Sequence, residues 1–561
     1  MLSFDLLSEP WLPVLDAGSD LRGTPGAPTT PREIGLREAL LRAHEIREVA
    51  ADSPLETIAL DRLLLALALD VYQSAPDPDA WHALWRAGRF DPAPLDAYLD
   101  CWVDRFNLLH PIHPFFQRTT TDPSMDGKSP SPLARLFHAR ASGNNATLFA
   151  HDLDADPRPV SLAVAARAIV AAQAAALGGG VSQPFNLSHG PLVGRAQLWI
   201  RGRSLFEALL LNAPPTTKAR MGATPDDAPS WRRDLAPTHV YSRRRHDGLL
   251  DVLTWPSRRL TLVADGDHAT GVYVTQGDKL EPQPTDDPLA AHVTSKDKGV
   301  FPLGLRAGRA VWRDASVLFD TRPGSGRHAP HTFEWAASLA VAEGGDPALP
   351  RVLREQGVDV FGLVNDQAKP ELWRHERLPL HVEILADSSR QEDLHAALDI
   401  AANGWSQKSG PCLSSAVRTM AQFALDPPPA GDDARSSADP KAVSALVQSL
   451  AAEPRYWALL EPRFFGLLGE IATAVSHAAR EAVLARWAGV VARAALEAYD
   501  TATSSFRRDA RDLRAWAEGR ARLPPIPDDT AVGVSDAPDA ALAPVDPPGP
   551  SPQTTLFHDG Y

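Results

Sequence analysis

Apolar positions along the chain fall into three successive regimes. Across residues 36–49 and 55–72 they recur at helical spacing. The second stretch carries Leu60, Leu63, Leu64, Leu67 and Leu69 nearly all round, which predicts a helix buried on every side. Another helix is expected over about 94–106. An Ala-rich one over 160–177 stops at Gly178-Gly179-Gly180. Ahead of these, residues 3–14 read as a short strand broken by Pro10 and Pro13. Between 190 and 345 the pattern shifts to alternation, at 196–200, 249–253, 260–263 and 271–275, punctuated by Gly and Pro, so mainly strands and loops are expected there. Residues 380–384 read as one more strand. From about Ser389 helical spacing takes over, at 390–404, 408–425, 439–452, 455–475 and 477–518, the last interrupted near 501–505. Val483, Trp487, Val490, Val491, Ala494 and Leu496 form an apolar stripe within it.

These regimes predict an α+β class: a large mixed α/β N-terminal domain over 1–388, then a C-terminal helical (four-helix) bundle over 389–523. The remainder, 524–561, holds six aspartates and no lysine or arginine and is rich in Pro and Ala, so a disordered acidic tail is expected. A chain of 561 residues exceeds what one core supports, in keeping with more than one domain. No internal repeat is present.

Composition narrows the function classes. With 44% hydrophobic and 22% charged residues, the chain reads as an ordinary globular protein. No run approaches ~18 uncharged apolar residues, so no membrane partner is expected. Residues 1–15 carry Asp5 and Glu9 and no basic stretch, so no secretory leader is expected. Two cysteines, Cys101 and Cys412, cannot build a disulfide framework or a Cys-rich zinc site, which fits a reducing cytoplasm. The net charge of −14 means that any nucleic-acid contact comes from local basic patches or from a larger complex. Arg243-Arg244-Arg245-His246 is the densest such patch. Arg507, Arg508, Arg511 and Arg514 form a second at helical spacing, read first as a solvated face.

Enzyme signatures are missing. The chain has no phosphate-binding P-loop, no His-Glu-x-x-His and no Gly-x-Ser-x-Gly. His110-Pro111-Ile112-His113 with Asp104 suggests a metal site, but Pro111 breaks the helix that would align ligands and no third ligand is placed, so packing is the better reading. No catalytic residue, metal or cofactor is expected.

Four local stretches, in order, carry a resemblance. They are Phe4-Asp5-Leu6-Leu7 with Pro10-Trp11-Leu12-Pro13-Val14; Trp102, Asp104 and Phe106 with His113-Pro114-Phe115-Phe116-Gln117; Gly178-Gly179-Gly180 ahead of Arg201-Gly202; and Gly362-Leu363-Val364-Asn365-Asp366-Gln367-Ala368. Together they resemble the CasA family, the large subunit of the type I-E CRISPR Cascade complex. The resemblance implies a subunit that reads the protospacer-adjacent motif (PAM), opens the duplex and helps recruit the helicase-nuclease. Its partners would be other Cascade subunits, CRISPR guide RNA and double-stranded target DNA.

It also assigns roles residue by residue. Gly178, Gly179 and Gly180 would enter the minor groove, since glycine has no Cβ and lets backbone approach closely; the plainer reading is a helix C-cap. Lys279 would reach the PAM from the same side. Asn365-Asp366 favours a tight hairpin with Gln367 at its tip, and Gln367, flanked by Ala368, would be the wedge between base pairs. Asp366 stands where the family often has Asn. Lys296 and Lys298 would hold the duplex by its phosphates, contacts that give affinity and salt dependence without sequence information. Phe149 and His151, in Leu148-Phe149-Ala150-His151, would dock on the guide RNA and its capping subunit. For the lysines the plainer reading is a solvated surface, and for Phe149 a place in the core. Two rivals stay open: a metabolic enzyme with an α/β body and helical lid, which needs a pocket of converging titratable groups that the sequence does not reveal, and a scaffold that contacts protein alone.

Overall fold

Trp11 anchors the start of the chain: fully buried, it donates its indole N–H to Leu6 O at 2.9 Å. The strand that follows, Leu12–Asp16, is central in an antiparallel three-stranded sheet between Arg32–Ile34 and Ile46–Val49. The computed structural model describes residues 3–18, 30–118, 127, 129–140, 158–179, 188–215, 224–233, 243–281, 287–366, 369–408, 410–427 and 436–526.

Helix Pro54–Tyr72 runs through the middle of the body. Ser53 caps it by accepting from Glu56 N–H, Pro54 pre-sets its first turn, and it is buried along most of its length, as its all-round leucines require. Arg62 on this helix is 1% exposed, so its charge needs partners. It donates to Gln197 Oε1 at 2.6 Å, Asp287 Oδ2 at 3.1 Å and Val252 O at 3.2 Å, tying helix to sheet.

Three hairpins build the strand-rich region: Arg258–Asp265 with His268–Gln276, His292–Ser295 with Gly299–Pro302, and Val358–Asp366 with Lys369–Leu378. Strand Gln197–Ile200 pairs with the last of these and also hydrogen-bonds, through Leu198 and Ala196, to Leu289 and Leu303 at the base of the second.

Beyond residue 388 every described element is a helix. Four are long, Ser388–Trp405, Leu413–Leu425, Ala452–Thr473 and His477–Ala502, and two shorter, Pro440–Leu450 and Ala510–Arg520. Buried Tyr and Trp donors lock them: Tyr456 to Ala401 O at 2.6 Å, Trp487 to Ala397 O at 2.8 Å. Trp312 of the body packs on Phe464 (ring centroids 4.7 Å), and Arg313 lies 3.7 Å over the Trp457 ring.

Four expectations are corrected. Residues 36–49 are not one helix: Leu36–Leu41 is helical, and Ile46–Val49 is a strand paired with Leu12–Asp16. Residues 249–253 form a helical turn, because Asp227, distant in sequence, accepts the N–H groups of Leu250 and Asp251 at its start. Residues 380–384 hold a short helix, Val382–Leu385. The strand-rich region also contains helices Leu205–Leu211 and His331–Val341. One helix, Pro78–Ala87, is absent from the expectations, although Asp77-Pro78 at its start and Gly88 (φ +70°) after its end are complete local signals.

Candidate nucleic-acid interface

Helix Leu162–Ala175 ends three residues before the glycines, at Ala176 in extended backbone. The glycines are therefore not its cap. Gly178 is buried and donates its N–H to His189 Nδ1 at 2.9 Å, and Gly179 takes φ +125°, a conformation that favours glycine. Gly180 lies outside the described residues. Gln173, on the last turn, sets the exit of this loop. Its amide accepts from Arg258 N at 2.8 Å and donates to Arg258 O at 2.9 Å and Phe116 O at 3.0 Å. Arg258 in turn donates to Leu177 O at 2.9 Å. The His-Pro-Phe-Phe-Gln stretch belongs to the same construction: Gln117 accepts from Leu262 N at 2.8 Å and donates to Leu108 O at 2.7 Å.

Segment 188–193 joins the glycines to two other predicted elements. Gly190 N and Leu192 N bond Ala176 O and Ala174 O. Ser188 and Gln276 exchange two hydrogen bonds, Ser188 N to Oε1 at 2.8 Å and Nε2 to Ser188 Oγ at 3.0 Å. Gln276 is fully buried at the end of strand His268–Gln276, directly before Gly277-Asp278-Lys279. Gly277 cannot be replaced without movement, since a Cβ there would collide with Pro256 O and Arg258 N. Val193 then forms a parallel bridge with Leu363, three residues before Asp366.

Lys279 sits in a short strand beside Arg243–Arg244, its Nζ 3.8 Å from Glu281, which also lies 3.5 Å from Arg243. The Arg243–His246 cluster is thus partly spent within the fold. Burial works against the Arg244 charge, but hydrogen bonds and charge from Asp251 and Asp278 outweigh it and raise its pKa above the ordinary value. The second basic run is likewise engaged: Arg511 donates to Ala424 O and Leu425 O, and Arg507 pairs with Asp500 at 2.9 Å.

Lys296 and Lys298 occupy the exposed three-residue turn between Ser295 and Gly299. Lys298 N–H donates to Ser295 Oγ at 3.0 Å, and Gly299 at φ +65° closes the turn. Among the described residues neither lysine has a carboxylate within ion-pair reach, unlike Lys279.

In hairpin Val358–Asp366/Lys369–Leu378, Asp366 faces Lys369 across the ladder, leaving two residues to connect the strands. Paired strands thus stand on both sides of the position where Asn365-Asp366 predicts a turn. Asn365 and Asp366 are described, and a bulge follows Val364; Gln367 and Ala368 lie outside the described residues. So do Phe149 and His151.

His110 is used within the protein: its Nδ1 accepts from Ile112 N at 3.2 Å and His113 N at 2.9 Å, and its ring stacks on His113. Among the described residues no group of three His, Cys, Asp or Glu side chains could hold a metal, and no helix is long and apolar enough to cross a membrane. Sequence reading missed one set of converging titratable groups, Glu48, Asp61, Arg201, Asp359, His375 and Arg377. They are scattered over 330 positions, and no local spacing announces them.

Comparison with known proteins follows the same lines. The family described as CRISPR-associated protein Cse1 matches residues 5–498. The CRISPR-associated protein CasA/Cse1 of Thermus thermophilus is 31% identical over 540 residues, covering 92% of this chain and 95% of that protein. The crystal structure of Thermus thermophilus CasA superposes with a TM-score of 0.73 at 28% identity, over 93% of this chain and 98% of that one. A chain of a CRISPR RNA-guided surveillance complex superposes with a TM-score of 0.71 over 93% and 99%; at 22% identity it shares the fold.

Proposed function

This chain belongs to the CRISPR-associated Cse1 (CasA) family, and on that premise we propose that it is the non-catalytic DNA-recognition subunit of an RNA-guided surveillance complex of the Cascade type I-E class, acting in the cytoplasm. Gly178–Gly180 and Lys279 sample the PAM from the minor groove, and Gln367 enters the base stack beside it. Lys296 and Lys298 hold the flanking duplex, and Phe149 and His151 dock on the guide RNA and a neighbouring subunit. The opened duplex is then presented to the helicase-nuclease.

The observation that carries this reading is the segment 188–193. It bonds at once to Gly178, to Gln276 just ahead of Lys279, and to Leu363 in the strand Val358–Asp366. Elements distant in sequence thereby share one hydrogen-bonded support, as a reader of a short duplex motif needs. Strand exchange between guide and target is nearly balanced, so the step the protein must drive is the first base-pair opening. A neutral amide suits that step: it can bond base edges without bringing charge to the phosphates. Replacement Gln367→Ala is expected to slow strand opening, read by permanganate reactivity or 2-aminopurine fluorescence beside the PAM, while closed-duplex affinity changes by less than about threefold. Equal loss of both would contradict the wedge role.

A further inference from the structure

Away from the glycine loop and the hairpin tip, a cavity of roughly 240 Å³ opens between strand Ile46–Val49, the first turns of helix Pro54–Tyr72, helix Leu205–Leu211 and the base of hairpin 358–378. Asp359 on its wall is fully engaged. Arg201 meets its Oδ2 at 2.7 Å, and Arg377 and His375 meet its Oδ1 at 2.9 Å and 3.1 Å. Arg201, 7% exposed, also grips Glu48. Arg47, 4.0 Å from Glu48, and Asp52 also line the cavity.

Asp61 differs from these groups. Its residue is 5% exposed, it lines the cavity, and among the described residues its carboxyl has no hydrogen-bond or ion-pair partner. A buried polar group without a partner calls for one. The surrounding charges say of what sign. Over the whole lining, Glu48, Asp52, Asp61 and Asp359 supply four carboxyl groups against the three guanidinium groups of Arg47, Arg201 and Arg377, so the cavity is one positive charge short when Asp61 is ionised and His375 neutral. Burial first, then Asp359 and Glu48, push the Asp61 pKa well above the usual carboxylate range, which disfavours its ionised form until a cation stands beside it. The space is far larger than a proton or a water needs, and Trp199 and Phe361, its ring stacked on His375 at 4.6 Å, give it an aromatic wall.

We propose that this cavity binds a small monovalent organic cation, a guanidinium or primary ammonium head, with the Asp61 carboxylate as its counter-ion. The site is independent of the DNA-reading function. The same head could arrive free in solution or on an arginine side chain of another protein. Two probes separate these sources: methylguanidinium chloride, and the blocked tripeptide Gly-Arg-Gly.

The test is calorimetric titration of the intact chain at fixed ionic strength, with methylurea as the neutral isostere. Saturable binding of about one methylguanidinium per chain is expected, with none for methylurea. Asp61→Asn should weaken it at least about tenfold. Ala208→Leu, which adds bulk at a lining residue and removes no charge, should do the same and guards against misfolding of the first variant. Tighter binding of the tripeptide than of methylguanidinium assigns the site to a protein side chain, and weaker binding to a free cation. No saturable heat from either probe, equal binding of methylurea, or undiminished binding by Asp61→Asn overturns the proposal.

Discussion

Lys296 and Lys298 differ from Lys279 in what surrounds them. Lys279 shares Glu281 with Arg243, whereas the hairpin lysines stand exposed with no carboxylate near among the described residues. Free surface lysines suit phosphates, and each phosphate contact adds about 0.9 to the slope of log K against log salt. Replacing both by Ala is expected to lower that slope by about 2 in magnitude while leaving the preference among flanking trinucleotides unchanged. A salt titration on two targets measures both, and a changed preference would place the pair in base reading. Gln276 works the other way. It touches no nucleic acid in this account, yet its two bonds to Ser188 seat both the glycine loop and Lys279. Gln276→Leu leaves Ser188 N–H without its acceptor and is expected to cost about 1–3 kcal/mol in urea unfolding. It should also blunt trinucleotide discrimination more than overall duplex affinity.

At the scale of elements, the base of the lysine hairpin carries a pH sensitivity. His292 opens its first strand at 5% exposure; burial chiefly, with Arg195 and His328 adding and Asp287 opposing, brings its pKa down to about 4. The folded protein thus keeps His292 neutral, while the unfolded chain takes up a proton below about 6.5. The sign follows: the contribution is fully present above pH 6.5 and is lost as pH falls through 4, up to about 3 kcal/mol. His292→Phe should flatten the stability profile across that window in urea titrations at pH 7, 5.5 and 4; an unchanged slope would show that His292 is not the group responsible.

Which elements the sequence announced depends on where their signals lie. Helix Pro54–Tyr72 and the helices after Ser388 are long and strongly periodic, and they stand where the pattern put them. Two local patterns misled. Ile46–Val49, the end of the helical pattern over 36–49, is a strand because Leu12–Asp16 offers it a ladder, and Leu249–Leu253 is helical because Asp227 caps it from 22 positions away in the chain. Both decisions are tertiary, and local periodicity cannot carry them. The candidate site divides the same way. Gly178–Gly180, Lys279 and Asn365–Gln367 come from the family resemblance, and their roles are proposals. The links that join Gly178, Gln276 and Leu363 through His189, Ser188 and Val193 were not legible, because they rest on hydrogen bonds across as many as 88 positions and on a bridge to Leu363.

For the molecule as a whole, we propose a division into a mixed body over 1–388, a helical bundle over 389–523 and an acidic tail over 524–561. Buried residues run continuously from the body into the bundle through Trp312, Phe464 and Leu385. The net charge of −14 argues that this chain alone holds DNA weakly, because most of the phosphate attraction must come from the rest of an assembly. Duplex binding by the chain with and without a guide-loaded Cascade core, on targets that differ only in the flanking trinucleotide, decides whether it reads DNA within an assembly. Tight binding that depends on that trinucleotide, and appears only when chain and core are both present, is the predicted result. A chain that neither joins the core nor alters its preference among targets would contradict the account.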